Sequence, residues 1–252
     1  MRNEKSPSAD AQLAGLQNQV ALLEQQLAAS QRELEAFAYA VAHDLRAPLR
    51  SLSGFSQALI ELAEQTPNPK AQHYLNRIQQ ASRKMSELID ALLGLSRISR
   101  ADLLRRTVDL SAVCHEAVAA IRGKYVGRDI EITIEPDMQA MGDARLLRVA
   151  LDALLDNACK FTDTRARAHI AIERTNTDRG VAYCVRDDGV GFDMAYEEKL
   201  FKPFQRLHSD ERYAGLGIGL AAVQRVIARH GGFVWARSQP EKGAQILFTL
   251  PS

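Results

Sequence analysis

The sequence predicts a protein in two parts, a helical N-terminal region followed by an α/β sandwich. Three observations carry this. Apolar residues recur in three–four steps at Leu13, Leu16, Val20, Leu23, Leu27, Leu34, Phe37 and Val41, a heptad seam with Ser30 in one slot. Two long amphipathic stretches flank the breaker cluster Gln65-Thr-Pro-Asn-Pro-Lys70. After Arg97 the pattern changes to period-two runs mixed with helical ones. The expected fold is a coiled coil and a helical hairpin, doubled by dimerisation into a four-helix bundle. One sheet with helices on one face follows.

The elements follow in order. Residues 1–10 are polar and read as a disordered tail, and 11–36 as a coiled coil rich in Gln, Ala, Leu and Glu. A seam this long needs a second strand, so a parallel homodimer is expected. Residues 37–100 form the hairpin domain. Its first helix runs to about Glu64 on Leu45, Leu49, Leu52, Leu59 and Leu62, and Pro48 removes one backbone donor inside it. Its second spans Ala71–Ile98 on Leu75, Ile78, Ser82, Met85, Ile89 and Leu92. Residues 105–252 form the second domain. A short strand, Arg105–Leu110, leads to a helix over Ala112–Ile121 with Ser111 as its cap. Ile130–Ile134 alternates as a strand, and Gly142-Asp143 opens an apolar helix to about Phe161. His169–Glu173 and Val181–Arg186 are strands joined by the turn Asn176–Gly180. A helix over Leu216–His230 stops at Gly231-Gly232, and Phe233–Arg237 with Gln245–Leu250 closes the sheet.

Composition excludes several classes. A net charge of +1 gives no field that would draw nucleic acid or an anionic membrane. Cys114, Cys159 and Cys184 are widely spaced and odd in number, which fits neither a metal site nor a disulfide framework and suits a reducing cytosol. The polar start has no signal-peptide core, and no apolar run approaches the roughly 20 residues that span a bilayer. The expected location is cytoplasmic, with membrane anchoring of a longer native protein left open.

Five clusters carry chemistry. His43 sits at an exposed c position if Val41 is an a position, with Asp44 beside it and Pro48 just beyond. An imidazole is a competent nucleophile near neutral pH, and an adjacent carboxylate can set its tautomer and take its proton. In Asp152-Ala-Leu-Leu-Asp156-Asn157-Ala-Cys-Lys160-Phe161, Asn157 and Lys160 share a helix face. An amide oxygen suits Mg²⁺, and a Lys suits phosphate. Asp187-Asp-Gly189-Val-Gly191-Phe192 follows a strand, where a carboxylate can accept from an amine such as that of adenine and the glycines allow close backbone approach. Leu200-Phe-Lys-Pro-Phe204-Gln-Arg206 reads as a mobile flap with apolar anchors at Phe201 and Phe204. Gly215-Leu-Gly217-Ile-Gly219-Leu220 opens a helix whose backbone donors can face a phosphate.

Together and in this order, these clusters resemble the two-component sensor histidine kinases. His43-Asp-Leu-Arg-Ala-Pro-Leu49 is similar to their H-box, the Asn157 cluster to their N-box, and the glycine clusters and flap to the remaining boxes of their ATP-binding domain. The resemblance covers residues 37–252. It implies an α/β sandwich of the histidine kinase and gyrase type, with ATP and Mg²⁺ as cofactors. It implies that His43 takes the γ-phosphoryl group with Asp44 as base, and that Asn157 holds Mg²⁺ with Lys160 near the phosphates. Asp187 then contacts adenine, and Phe161 and Leu220 belong to the same ATP-binding set. Gly189, Gly191, Gly215, Gly217 and Gly219 shape the pocket and lid, Phe204 anchors the lid, and Arg206 reaches the phosphates. The phosphoryl group then passes to an aspartate on a response-regulator receiver domain in a separate chain, under control of an upstream sensor domain. Two positions depart from the family pattern. Ala153 stands where many members have a second Asn, which places metal binding on Asn157 and water. Ala47 stands where phosphatase-active members have Thr or Asn, which implies weak phosphatase activity. A non-catalytic scaffold and an ATPase clamp are the alternative readings. The intact site residues disfavour the first, and a heptad-borne histidine disfavours the second.

Overall fold

The computed structural model describes residues 20, 23, 42, 45–61, 69–205, 207, 213 and 215–251. His43, Asp44, Arg206 and nearly all of the expected coiled coil lie outside them. The chain divides into two compact units, Met1–Ser96 and Arg97–Ser252.

In the first unit, α1 (45–61) and α2 (Pro69–Arg100) pair. Pro69 suits the first turn of α2, where its missing N–H has no helical acceptor in any case. Arg97 and Arg100 complement the negative end of the helix. Ala42, Leu49, Ile89 and Leu93 form the core between them, with Leu92 against it. Ser82 Oγ donates to Leu49 O at 3.2 Å, and Arg46 pairs with Asp90 at 2.6 Å. The seam expected along α2 splits in two. Ser82 and Ile89 turn inward, while Ile78 and Met85 stay exposed, as do Leu52, Leu59 and Phe55, the last at 72%.

The second unit runs β1 (Arg106–Asp109), α3 (Leu110–Lys124), β2 (Ile130–Ile134), β3 (Gln139–Gly142), α4 (Ala144–Phe161), β4 (Ala168–Thr177), β5 (Gly180–Asp187), α5 (Glu197–Leu200), α6 (Gly219–Arg229), β6 (Val234–Ser238) and β7 (Ala244–Phe248). The main sheet has the order β2-β4-β5-β7-β6, antiparallel except for β2 with β4. Ile172, Val185, Ile246 and Ala236 stand in one cross-strand row, all buried against the helical layer. Arg186, Gln245 and Arg237 form a neighbouring row on the opposite face, as period-two alternation requires. Helix α4 lies central in the helical layer, between α3 and α6. Among the described residues no helix is long and apolar enough to cross a membrane.

The sandwich class holds, with local corrections. There are two sheets, because β3 pairs with β1 in a separate two-stranded ribbon. The cap of α3 is Asp109, whose carboxylate accepts from Ala112 N at 2.9 Å. Ser111 is instead buried inside the first turn, where it donates to Glu135 O at 2.8 Å and accepts from Met138 N at 2.9 Å. Helix α6 starts at Gly219 rather than Leu216, since Gly215 and Gly217 hold φ of 155° and 70°. Strand β4 runs on to Thr177, which leaves only Asp178 and Arg179 as the turn before β5. A 3₁₀ turn over Met194–Tyr196 and the short α5 were not anticipated.

Helices α4 and α6 are joined at one end. His230, fully buried after the last turn of α6, accepts from Asp143 N through Nε2 at 2.9 Å. Nδ1 therefore carries the proton and donates to Val226 O at 2.7 Å. Asp143 caps α4 and also accepts from Leu104 N at 3.1 Å. The Arg145 guanidinium beside it holds its carboxyl well below the usual carboxylate range.

Candidate active site

Helix α4 is strongly amphipathic. Leu147, Leu151, Leu154, Leu155 and Ala158 face the core. Asp152, Ala153, Asp156, Asn157, Lys160 and Phe161 recur at four-residue steps on the other side and line a cavity of about 550 Å³. The ends of β5 and β7 and the 200–220 segment form its other walls. The Lys160 ammonium lies 4.4 Å from the centre of the Phe161 ring, and Phe161 packs on Tyr213 at 5.2 Å.

The N-terminus of α6 meets this wall. Its N-cap, Ile218, provides no side-chain hydrogen bond, which leaves the first-turn N–H groups to other acceptors. A Cβ on Gly219 would lie 3.7 Å from Ala153 Cβ and 3.8 Å from Asn157 Nδ2. A positive helix end, an amide and an ammonium thus border one space, an arrangement suited to anionic oxygens.

Asp187 ends β5 at the cavity. Its Oδ1 accepts from Gly189 N at 2.9 Å and Ala244 N at 3.3 Å. Burial pushes its carboxyl up to about 6, the two backbone N–H groups pull it down, and the neighbouring Asp188 charge adds to the rise.

Of the residues expected at the site, Asn157, Lys160, Phe161, Asp187, Gly191, Gly215, Gly217, Gly219 and Leu220 come together around this cavity. Gly189 and Phe204 do not line it. The Gly189–Gly191 pair serves a different purpose from the close ligand approach expected. A Cβ at Gly189 would lie 2.4 Å from Phe161 O, and one at Gly191, where φ is 59°, 2.2 Å from Gln239 O. These glycines admit the protein's own backbone. Phe201 is buried, as an anchor should be. Phe204 is 46% exposed with φ of 63°, and it ties the segment through its backbone, donating to Gly217 O at 2.9 Å. Gly217 is required there, since a Cβ would lie 2.5 Å from Gln205 O and φ is positive.

Among the wall groups that sequence reasoning missed are Lys124, Asp152, Asp156 and Tyr213. The Asp156 carboxylate pairs with Lys124 and accepts from Tyr125 Oη at 3.0 Å. Asp156 was signalled by its place beside Asn157. Lys124 had no local signal, because it arrives from α3.

Two family models match the chain. Residues 33–101 match the His Kinase A (phospho-acceptor) domain, and 142–252 match the histidine kinase-, DNA gyrase B- and HSP90-like ATPases. The chain belongs to the two-component sensor histidine kinases. The match at 33–101 separates this kinase from the gyrase and chaperone branches, and it contains His43. The kinase is similar to the methanogenesis regulatory histidine kinase FilI of Methanothrix harundinacea, 33% identical over 89% of this chain and 25% of the relative. It is similar to the adaptive-response sensory kinase SasA of Thermosynechococcus vestitus, 31% identical over 84% of this chain and 58% of the relative. Full-length ShkA, solved with AMPPNP, shares the fold at a TM-score of 0.60 and 23% identity, over 85% of this chain and 45% of that one. The chain spans only 25–31% of the length of the first curated relatives it matches.

Proposed function

We propose that this chain is the catalytic core of a sensor kinase that phosphorylates His43 from ATP and passes the group to an aspartate on a response-regulator receiver domain. One juxtaposition carries the reading. Asn157 and Lys160 stand on one face of α4 against the start of α6, which has no side-chain cap, with Asp187 on another wall of the same cavity. Asp187 accepts from the adenine amine. Lys160 and the α6 backbone donors hold the phosphates, and the charge of Arg206 would add to theirs. AMPPNP, an ATP analogue, was bound to the fold relative ShkA, which favours the same ligand here.

The imidazole of His43 attacks the γ-phosphorus, the bond from phosphorus to the ADP oxygen breaks, and the imidazole proton passes to Asp44. The protein's part is positioning and charge neutralisation, since the transferring group needs little else. Asn157 would hold Mg²⁺, which neutralises charge on the β- and γ-phosphates.

The kinase acts as a homodimer in this reading. Leu52, Phe55, Leu59, Ile78 and Met85 are exposed within one chain, and Val20 and Leu23 on the coiled-coil seam are exposed as well. A second copy would cover them as a four-helix bundle continued by a coiled coil. An upstream sensor in a longer native protein, and action in the cytoplasm, complete the proposal.

The test is labelling with γ-³²P ATP. His43→Ala should bind ATP normally and carry no acid-labile phosphate. Asn157→Ala should lose labelling and stay dimeric. Acid-labile, base-stable label on His43→Ala would overturn the assignment.

A further inference from the structure

The cavity wall carries three carboxylates, Asp152, Asp156 and Asp187. A carboxylate at neutral pH only accepts hydrogen bonds, and so does a phosphate, so none of the three can bond the triphosphate. Asp187 ends β5 at the wall where the adenine amine is placed. Asp152 pairs with Arg148 Nε at 2.7 Å, one turn back along α4 and away from Asn157 and Lys160, and Arg148 also holds Glu116 on α3. Asp156 remains. Its Oδ1 takes both the Lys124 ammonium and Tyr125 Oη, and among the described residues its Oδ2 accepts from none. Lys124 offsets the charge, so this carboxylate can stand near a polyanion.

We propose that Asp156 receives the ribose of the bound nucleotide, its carboxylate accepting from the 2′- or 3′-hydroxyl. The inference rests on the nucleotide reading above. Sugar hydroxyls are the remaining donors of such a ligand once the adenine amine is matched. The place also fits, because ribose joins base to phosphates. Asp156 is one residue before Asn157 and one helical turn before Lys160, and all three line the cavity. Lys124 and Tyr125 act as positioning residues, fixing Asp156 from the end of α3. Burial, with the Asp156 carboxylate next, pushes the Tyr125 phenol well above its ordinary value, so it stays a donor.

A purely structural clamp between α3 and α4 would not discriminate among sugars, and the test uses that difference. Dissociation constants of the intact chain are measured by calorimetry for ADP, 2′-deoxy-ADP and 3′-deoxy-ADP, which also avoids turnover. The wild type should bind at least one deoxy analogue about tenfold more weakly than ADP, the effect of one hydrogen bond to a charged group. Asp156→Ala should bind all three alike, near the weaker value. Equal affinity for all three in the wild type, or discrimination retained in Asp156→Ala, would overturn the inference while leaving the nucleotide site standing. No binding of ADP at all would overturn that site, and the ribose contact with it. Should Asp156→Ala fold poorly, the same-sized Asp156→Asn takes its place, and the preference for ADP over the deoxy analogue should shrink because a neutral acceptor bonds more weakly, while an unchanged preference would overturn the inference.

Discussion

At the scale of residues, Asp187 sets folding against binding. Its folded carboxyl is raised from 3.8 to about 6, so the folded state holds the proton more tightly than the unfolded state. The stability this contributes, about 3 kcal/mol, is full below pH 3.8, is lost as pH rises toward 6, and is absent at pH 7. Asp187→Asn never ionises and its amide oxygen can still accept from Gly189 and Ala244. Thermal unfolding should find the variant more stable than the wild type at pH 7 and flatter between pH 4 and 6, yet weaker in ATP binding. A parallel pH dependence in both proteins would contradict the assignment. Ala47 makes a second residue-scale prediction. It is exposed on α1, four residues after His43 in the sequence, and its methyl group offers no donor or acceptor to an attacking water. Ala47→Thr should raise dephosphorylation of the cognate receiver, measured in a His43-blocked protein without ADP, with ATP affinity little changed.

At the scale of elements, two kinds of signal behaved differently. The apolar period of α4 and the alternation of β2 were plain in the sequence, because burial of one face fixes both. Caps and turns were harder. Ser111 has the chemistry of a cap, but the strand ends at Asp109 and the helix therefore starts two residues sooner. The difference is measurable. Asp109→Ala should cost about 1 kcal/mol as a lost cap. Ser111→Ala should cost about 1–3 kcal/mol, because it strands the buried Met138 N–H. The ribbon strand β3 is four residues long, too short to show a period, and only its pairing with β1 defines it. The lid glycines were recognised as a group, but the reason for Gly217 was not, since it lies in the carbonyl of Gln205. Gly217→Ala should strain the left-handed backbone by about 1–2 kcal/mol and displace the lid. Calorimetry should then find weaker binding of an ATP analogue, with the melting temperature much less affected.

At the scale of the whole molecule, the order of domains and most of the cavity wall were legible in one chain, because each motif places its own residues on one local element. Lys124 and Tyr213 were not, since only the packed fold brings them to Asp156 and Phe161. Nor was the split of the α2 seam, because heptad spacing does not say which apolar residues meet α1 and which await a second copy. Phe55→Glu with Met85→Glu should convert the dimer to monomer by light scattering and abolish labelling if transfer runs between subunits. Mixing His43→Ala with Asn157→Ala then separates the routes: restored labelling means transfer in trans, none means cis. Insertions near Ala28 test the coiled coil as a conduit. One added residue rotates the downstream seam by about 100° and should change kinase output, while seven should not.

The His230 joint has a mechanical consequence. Helices α4 and α6 bear opposing walls of the cavity, yet they are fastened to each other at the far end, through Asp143 N and the last turn of α6. That joint fixes the C-terminal end of α6 in the core, while its other end rests against Ala153 and Asn157. Helix α6 has 11 residues, so its tip at Gly219 lies roughly 16 Å from the joint, and a swing of about 5° moves that tip by roughly 1.4 Å. A small tilt about the joint would thus be felt at the phosphate end of the cavity and hardly at all in the sheet beneath.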